Sequence, residues 1–313
     1  SDTKSSKRVA FWINTLYSPF VRFSEIAKEF LDSKDDPEKL QNFVNSWLAE
    51  PWEDTKLKTN ADMVMERQTD VPPMVVPDWA HFITGGVDIQ ETSLYWSIRA
   101  WGPYITSQNI AHGQALSFQE IERIMNLPYL KENGDQLVVS LCLIDSGYDA
   151  DSTYDFCASN LDWAMPVKGS SNPMLSHFKI SKINRPESRA HGMTLVLTDG
   201  DKYKDMIAAR MKKENGKGSW MVYDGCDMDY AEQVTAEHKV NMKSGSRVIQ
   251  RWVQKQTHND NHYLDAEVYA MAAADILGVR TLHLEEKKAE EKTAAQEQYT
   301  PEEDWIHGNE NWM

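Results

Sequence analysis

Two apolar runs that each stop on an aspartate constrain this chain more than any other feature. "FITGGVD" ends in Asp88, and "LCLID" ends in Asp145 directly before the turn Ser146-Gly147. Short apolar runs bounded by turn residues read as buried strands, and a lone carboxylate at a buried strand end is costly unless it is paired or binds a metal. A third acid, Asp265, stands in the first turn of a predicted last helix, "NHYLDAEVYAMAAADILGV". There Leu264, Val268, Met271 and Ile276 fall near helical spacing and the alanines permit close packing on a sheet. Adjacent strands and a covering helix would bring three repelling acids together. Mg2+ or Mn2+ removes that repulsion through oxygen ligands, and two such ions about 4 Å apart serve phosphodiester hydrolysis.

The elements predicted around these acids follow the order of a mixed α/β sheet flanked by helices. "HFITGGVDIQ", "SLYWSIRAWGP" and "ITSQNIAHGQAL" form an antiparallel meander, and "SFQEIERIMNL" is a helix with Ser117 and Glu120 as a capping box. The Asp145 strand, a helix "DADSTYDFCASN" and a strand "DWAMPVKG" come next, then a strand "MTLVLT", a helix "KYKDMIAARMKK" and a strand "WMVY". Upstream, "FSEIAKEFL" and "PEKLQNFVNSWL" have helical patterns, and the Pro-rich "DVPPMVVPDW" reads as an extended linker. The expected organisation is a joining segment over 1–70, a catalytic α/β domain over 71–282 and an acidic tail over 283–313.

With 313 residues and 41% hydrophobic content the chain can build a large core. No run approaches a membrane span and no secretory leader is expected. Cys142, Cys157 and Cys226 form no C-x-x-C pair and read as buried free thiols. The net charge of -15 argues against a uniformly basic nucleic-acid binder. However, the stretch 284–313 carries nine of the acids against three lysines, so a basic groove elsewhere is compatible with the total.

"GGVDIQETSLYWSIRAWG", "LIDSGYDADSTYDFC", "MPVKGSS" and "NHYLDAEVYAMAAADIL" together resemble the nuclease domain of the large terminase subunit of tailed phages, in its lambda-type branch. The upstream "FWINTLYSPFVRFSEIAKEFLDSKDDPEKLQNFVNSWLAEPWE" is similar to the segment that joins that family's ATPase domain to its nuclease. The resemblance implies an RNase H-like fold with the metal-binding acids at Asp88, Asp145 and Asp265. It also implies cutting of concatemeric double-stranded viral DNA in the host cytoplasm, leaving a 3′-hydroxyl and a 5′-phosphate, with the portal protein and the small terminase subunit as partners. No G-x-x-x-x-G-K-[ST] occurs, so the ATPase domain is expected to lie outside this chain and no ATP hydrolysis is expected from it.

Other residues carry a bland reading beside a functional one. Lys168 is an exposed lysine or a phosphate contact. Glu267, about 200° around the helix from Asp265, has a surface or salt-bridge role. His258 and His262 lack the Glu of H-E-x-x-H, which leaves His262 as an auxiliary site residue by its nearness to Asp265. Asp149 and Asp151 read as helix caps, and Trp96, Trp101, Trp163, Trp220 and Trp252 as core. Lys179, Lys182, Arg185 and Arg189, with the segment "KYKDMIAARMKKENGK", are candidates for the rim of a DNA groove or for a charged surface. Two other readings stand against the packaging nuclease: a resolvase or transposase-like enzyme on the same fold, and an assembly module that docks on portal or small terminase with latent nuclease activity.

Overall fold

The computed structural model describes residues 13–34, 37–50, 61–187, 190–244, 247–255 and 260–284. It divides into two compact units, Ser1–Thr55 and Lys56–Met313. The first contains helices α1 (Phe23–Ser33) and α2 (Pro37–Asn42), the latter continued by a wider helical turn over Phe43–Trp47. Among its described residues Ile26, Ser33 and Phe43 are buried, and Phe43 packs against the rings of Phe30 and Trp47.

The second unit runs α3 (Ala61–Met65), β1 (Val75–Val76), β2 (Phe82–Ile89), β3 (Leu94–Gly102), β4 (Thr106–Ala115), α4 (Phe118–Met125), β5 (Tyr129–Lys131) and β6 (Gln136–Leu137). It continues with β7 (Val139–Asp145), α5 (Ala150–Ser159), β8 (Ala164–Gly169), β9 (Phe178–Lys182), β10 (Thr194–Thr198), α6 (Gly200–Met211) and β11 (Trp220–Val222). It closes with α7 (Met228–Val234), β12 (Glu237–Ser244), β13 (Arg247–Gln254) and α8 (His262–Ile276). The Pro-rich stretch is extended, as X-Pro sequences require, yet it is packed rather than a free linker: Val71 and Val76 are buried and β1 pairs with β5. The stretch belongs to the second compact unit, Lys56–Met313.

Eight strands form the central sheet in the order β11-β4-β3-β2-β7-β8-β10-β9. The expected meander β2-β3-β4 is antiparallel, while β2, β7, β8 and β10 run parallel to one another. This is the mixed α/β sheet flanked by helices that the sequence pattern predicts, with the first long strand in the middle of the sheet. Ser117 caps α4 by accepting the Glu120 amide, but the Glu120 carboxylate reaches the Leu116 amide, one residue before the partner of a standard capping box. α7 is too short to show a helical period, and β12 and β13 pair as an antiparallel hairpin.

The sheet separates two cores. Ile83, Val87, Cys142 and Ile144 face α4 and α5, whereas Leu141, Leu143 and Val167 face α8 and α6. The alternation of β2 therefore turns Thr84, Gly86 and Asp88 toward α8. Gly86 is required there, since a Cβ at that position would stand 2.0 Å from the Ala266 carbonyl oxygen and 2.6 Å from the Ala270 nitrogen. Thr84 ties the same contact by donating to the Ala270 carbonyl at 2.7 Å and accepting from Trp101 Nε1 at 2.7 Å. The alanines of α8 thus let the helix lie close on β2. The cysteines are buried free thiols, as expected, and Trp96, Trp101, Trp163 and Trp220 are core residues, Trp163 in a turn rather than a strand.

Candidate active site

β2 and β7 are neighbouring parallel strands with Val87 opposite Ile144, so Asp88 and Asp145 follow each other in register at the carboxyl ends of both strands. Adjacent strands lie about 4.8 Å apart. Both acids are on the α8 face, at the place where the sheet changes from antiparallel on one side to parallel on the other. That is where open α/β sheets form binding crevices. On α8, His262, Asp265 and Tyr269 share one helical face by their spacing, and that face is turned to the strand ends. His262 Nδ1 lies 2.9 Å from Asp88 Oδ2, and the Tyr269 hydroxyl donates to Asp145 Oδ1 at 3.3 Å. The sequence expectation that two strands and the last helix converge is met in this placement.

The electrostatics of the three acids differ. Burial raises the Asp88 carboxyl above its usual range against the hydrogen bond from His262, with Asp265 adding repulsion. Burial and the neighbouring Asp88 push Asp145 up to about 6, and Asp265 adds to that repulsion. Hydrogen bonds from the Gly147 amide and Tyr269 only partly offset the rise. Asp265 is held differently: Lys204 Nζ lies 3.1 Å from its Oδ1, and Asn261 Nδ2 donates to its Oδ2 at 3.2 Å. The same lysine contacts Glu237 Oε1 at 2.8 Å, and Asn261 donates to that oxygen at 2.7 Å. His262 is raised, first by its hydrogen bond to Asp88.

This donor set consists of carboxylate oxygens, the kind a hard divalent cation takes, and it is short of compensating charge at Asp88 and Asp145. In kind, then, the residues fit such an ion. Among the described residues, however, no three His, Cys, Asp or Glu side chains are arranged to hold one metal ion as they stand. Asp265 is turned to Lys204 and Asp88 Oδ2 is engaged by His262 and Gln90.

The remaining candidates fall in several places. Glu267 is not on the surface: it is fully buried and pairs with fully buried Arg99 at 2.5 Å, so the salt-bridge half of its expected role holds and the surface half does not. Ser97, Asn109 and Tyr230 also donate to its carboxylate. The physical reason is that the turn of α8 opposite Asp265 packs on β3 and β4, where only a paired carboxylate is tolerated. Lys168 follows Val167 on β8, so strand alternation places it on the sheet face opposite Asp145, which is in register with Val167. Lys179 and Lys182 are exposed on β9, the sheet edge, with β8 and β10 between that strand and β7.

Arg185 is engaged by Asp151 and lies over the Tyr154 ring, so Asp151 is an ion-pair partner while Asp149 alone is the α5 cap, accepting from Ser152 at 3.2 Å. Arg189, His258 and the tail from 285 onward lie outside the described residues. Lys204, from a segment read as a groove rim, instead points inward. Sequence reasoning missed Tyr269, Lys204, Glu237 and Arg99. Tyr269 carries a usable signal, four residues beyond Asp265, and Arg99 and Glu267 are lone charges in the apolar segments "LYWSIRAWG" and "AEVYAMAAA". Lys204 and Glu237 carry none.

Among known families, the terminase large subunit gpA endonuclease domain matches residues 8–287. The large terminase subunit of Escherichia phage lambda is 28% identical over 286 residues, covering 86% of this chain, and that of Enterobacteria phage P21 is 27% identical over 291 residues, covering 85%. The chain spans 44% of the length of each of these relatives. Among solved structures, the large terminase nuclease from thermophilic phage G20c with bound magnesium is 12% identical with a TM-score of 0.41, covering 71% of this chain and 98% of that one. The same nuclease with bound cobalt is 11% identical with a TM-score of 0.39, covering 68% and 96%.

Proposed function

This chain belongs to the family of terminase large subunit gpA endonuclease domains, and from that premise we propose that it is a divalent-metal-dependent endonuclease that cuts concatemeric double-stranded viral DNA. The observation that carries the proposal is the meeting of Asp88 and Asp145 at adjacent parallel strand ends, under the α8 face that presents Asp265. Burial without enough positive charge leaves the first two carboxyls raised, which is the imbalance a bound cation corrects. When bound, two Mg2+ or Mn2+ ions lower the pKa of a water and neutralise the charge that develops on the leaving oxygen.

The chain's own residues hold and aim these acids. Tyr269 and the Gly147 amide fix Asp145. His262 and Gln90 both act on Asp88 Oδ2, so Oδ1 is the oxygen assigned to a metal. His262 is thereby a positioning residue for Asp88. Exposed Lys179 and Lys182 on the edge strand are assigned to the DNA backbone beyond the scissile phosphate, since phosphate contacts need only charge and reach. Lys168 is assigned a backbone contact outside the acid cluster.

The first unit serves as the joining segment from an ATPase domain of the same polypeptide, and portal protein and small terminase subunit are the assembly partners, in the host cytoplasm. Among the described residues no helix is long and apolar enough to cross a membrane. The test is plasmid cleavage by purified protein. Mn2+ or Mg2+ supports nicking and linearisation, EDTA abolishes both, and Asp145→Ala lowers the rate by about a thousandfold, or about 4 kcal/mol of barrier. Full cleavage by Asp145→Ala, or undiminished cleavage in EDTA, overturns the assignment.

A further inference from the structure

We propose that Lys204 is an internal cation that shares Asp265 with the metal: its ammonium bridges Asp265 and Glu237 when no ion is bound, and withdraws onto Glu237 when one enters. The inference rests on the reading that Asp88, Asp145 and Asp265 hold a divalent cation, and it adds two residues, Lys204 and Glu237, to the working parts of that site.

The geometry is specific. Lys204 leaves the first half of α6, and its Nζ lies 3.1 Å from Asp265 Oδ1 and 2.8 Å from Glu237 Oε1. Its side chain is 12% exposed and that of Glu237 6%, against 30% for Asp265. Water therefore screens the inner contact least, and that contact is the shorter of the two. Asn261 joins the same two carboxylates from the other edge, donating to both. The neighbouring Asp205 is already committed to Lys239 and Trp252, so α6 is held in place while the Lys204 stem retains its own torsions.

A dication and an ammonium cannot share one carboxylate oxygen in a partly buried site without strong repulsion. Asp265 is thus satisfied in the metal-free protein by a charge that must move before the third ligand is available. This explains why Asp265 is turned to Lys204, and why no three His, Cys, Asp or Glu side chains in the described residues are arranged to hold one ion. Glu237 is the acceptor that keeps the displaced ammonium inside the protein, and it is a positioning residue acting through Lys204. If the lysine were only a structural tie, its removal would weaken folding without changing the affinity for metal.

The experiment is calorimetric titration of MnCl2 into the metal-free full chain, for wild type, Lys204→Met, Glu237→Gln, the double variant and Asp145→Ala, with thermal melts to establish folding. Removing the competing charge makes Lys204→Met bind Mn2+ about tenfold more tightly. Glu237→Gln, which keeps the shape but leaves the ammonium only Asp265, binds about tenfold more weakly. The double variant binds as Lys204→Met does, because without the lysine there is nothing for Glu237 to retain. Unchanged or weaker binding by Lys204→Met overturns the proposal, as does a double variant as weak as Glu237→Gln, which would make Glu237 a ligand itself. Should Lys204→Met fail to fold, the expected weakening in Glu237→Gln carries the test, and wild-type affinity there overturns the proposal. If wild type and Asp145→Ala bind Mn2+ alike, the site assignment itself falls. If Asp145→Ala loses binding but Lys204→Met matches wild type, only the role of Lys204 falls. No uptake by wild type overturns both.

Discussion

Helix α8 carries carboxylates on two of its sides, and the two are treated in opposite ways. Glu267 is surrounded by donors: Arg99, Ser97, Asn109 and Tyr230 all reach it, and Arg99 holds its carboxyl below the usual range against the effect of burial. Arg99 is in turn stacked on the Trp220 ring, 4.2 Å from its centroid, and donates to the Met221 carbonyl and Ser107. Two residues earlier, Asp265 is held by Lys204 and Asn261 and adds repulsion to Asp88 and Asp145, whose carboxyls are raised by burial. The comparison separates buried charge that specifies structure from buried charge left open for a ligand. Glu267 ties one side of α8 to β3 and β4, while His262, Asp265 and Tyr269 lie on the side turned to the strand ends.

The largest effect expected from breaking this contrast is on the satisfied side. Glu267→Ala leaves Arg99 buried and unpaired and should cost about 3 to 5 kcal/mol in denaturant unfolding. Replacing both partners, Arg99→Met with Glu267→Leu, should recover most of that stability, while losing Mn2+ affinity if the pair sets the rotation of α8. A smaller effect is expected from Gly86→Ala, whose added Cβ meets the Ala266 carbonyl and pushes α8 off β2. A loss of about 3 kcal/mol is expected from such overpacking, read as a lower thermal midpoint together with weaker metal binding.

The smallest effect, and one of opposite sign, is on the open side. Asp145 has a folded pKa of about 6, above its unfolded value, so its stabilising contribution is fully present below the unfolded pKa and is lost as pH rises through the folded one. In the metal-free protein Asp145→Asn should therefore raise stability by about 1 to 2 kcal/mol above pH 6, after discounting for partial solvent access, and change little near pH 3. Thermal melts in EDTA across that range check it. A destabilised Asp145→Asn at pH 7 would place Asp145 with Glu267 among the compensated charges.

What was legible in the sequence follows from the range of the interactions involved. The strands β2, β3, β4 and β7, and the acids at Asp88, Asp145 and Asp265, declare themselves because an apolar run, a turn and the charge that ends the run are neighbours in the chain. The Pro-rich stretch misled because an extended backbone is compatible with both a linker and a packed segment, and burial of Val76 is decided by β5 far downstream. Glu267 was half read. Helical geometry shows that it leaves the Asp265 face, but only the meeting with Arg99, 168 residues away, shows that it is buried. Lys204 and Glu237 were illegible for the same reason: one lies in a charged helix and the other in a polar hairpin, and their bond is formed only when α6, β12 and α8 pack together.

The central claim is that Asp88, Asp145 and Asp265 form one cation site, and the most direct measurement of it is anomalous diffraction from a crystal soaked in Mn2+. The account predicts Mn2+ peaks within ligand distance of Asp88 and Asp145, with Asp265 turned toward them and Lys204 on Glu237. Peaks that avoid these acids, or a soaked crystal with no Mn2+ bound there, would contradict it.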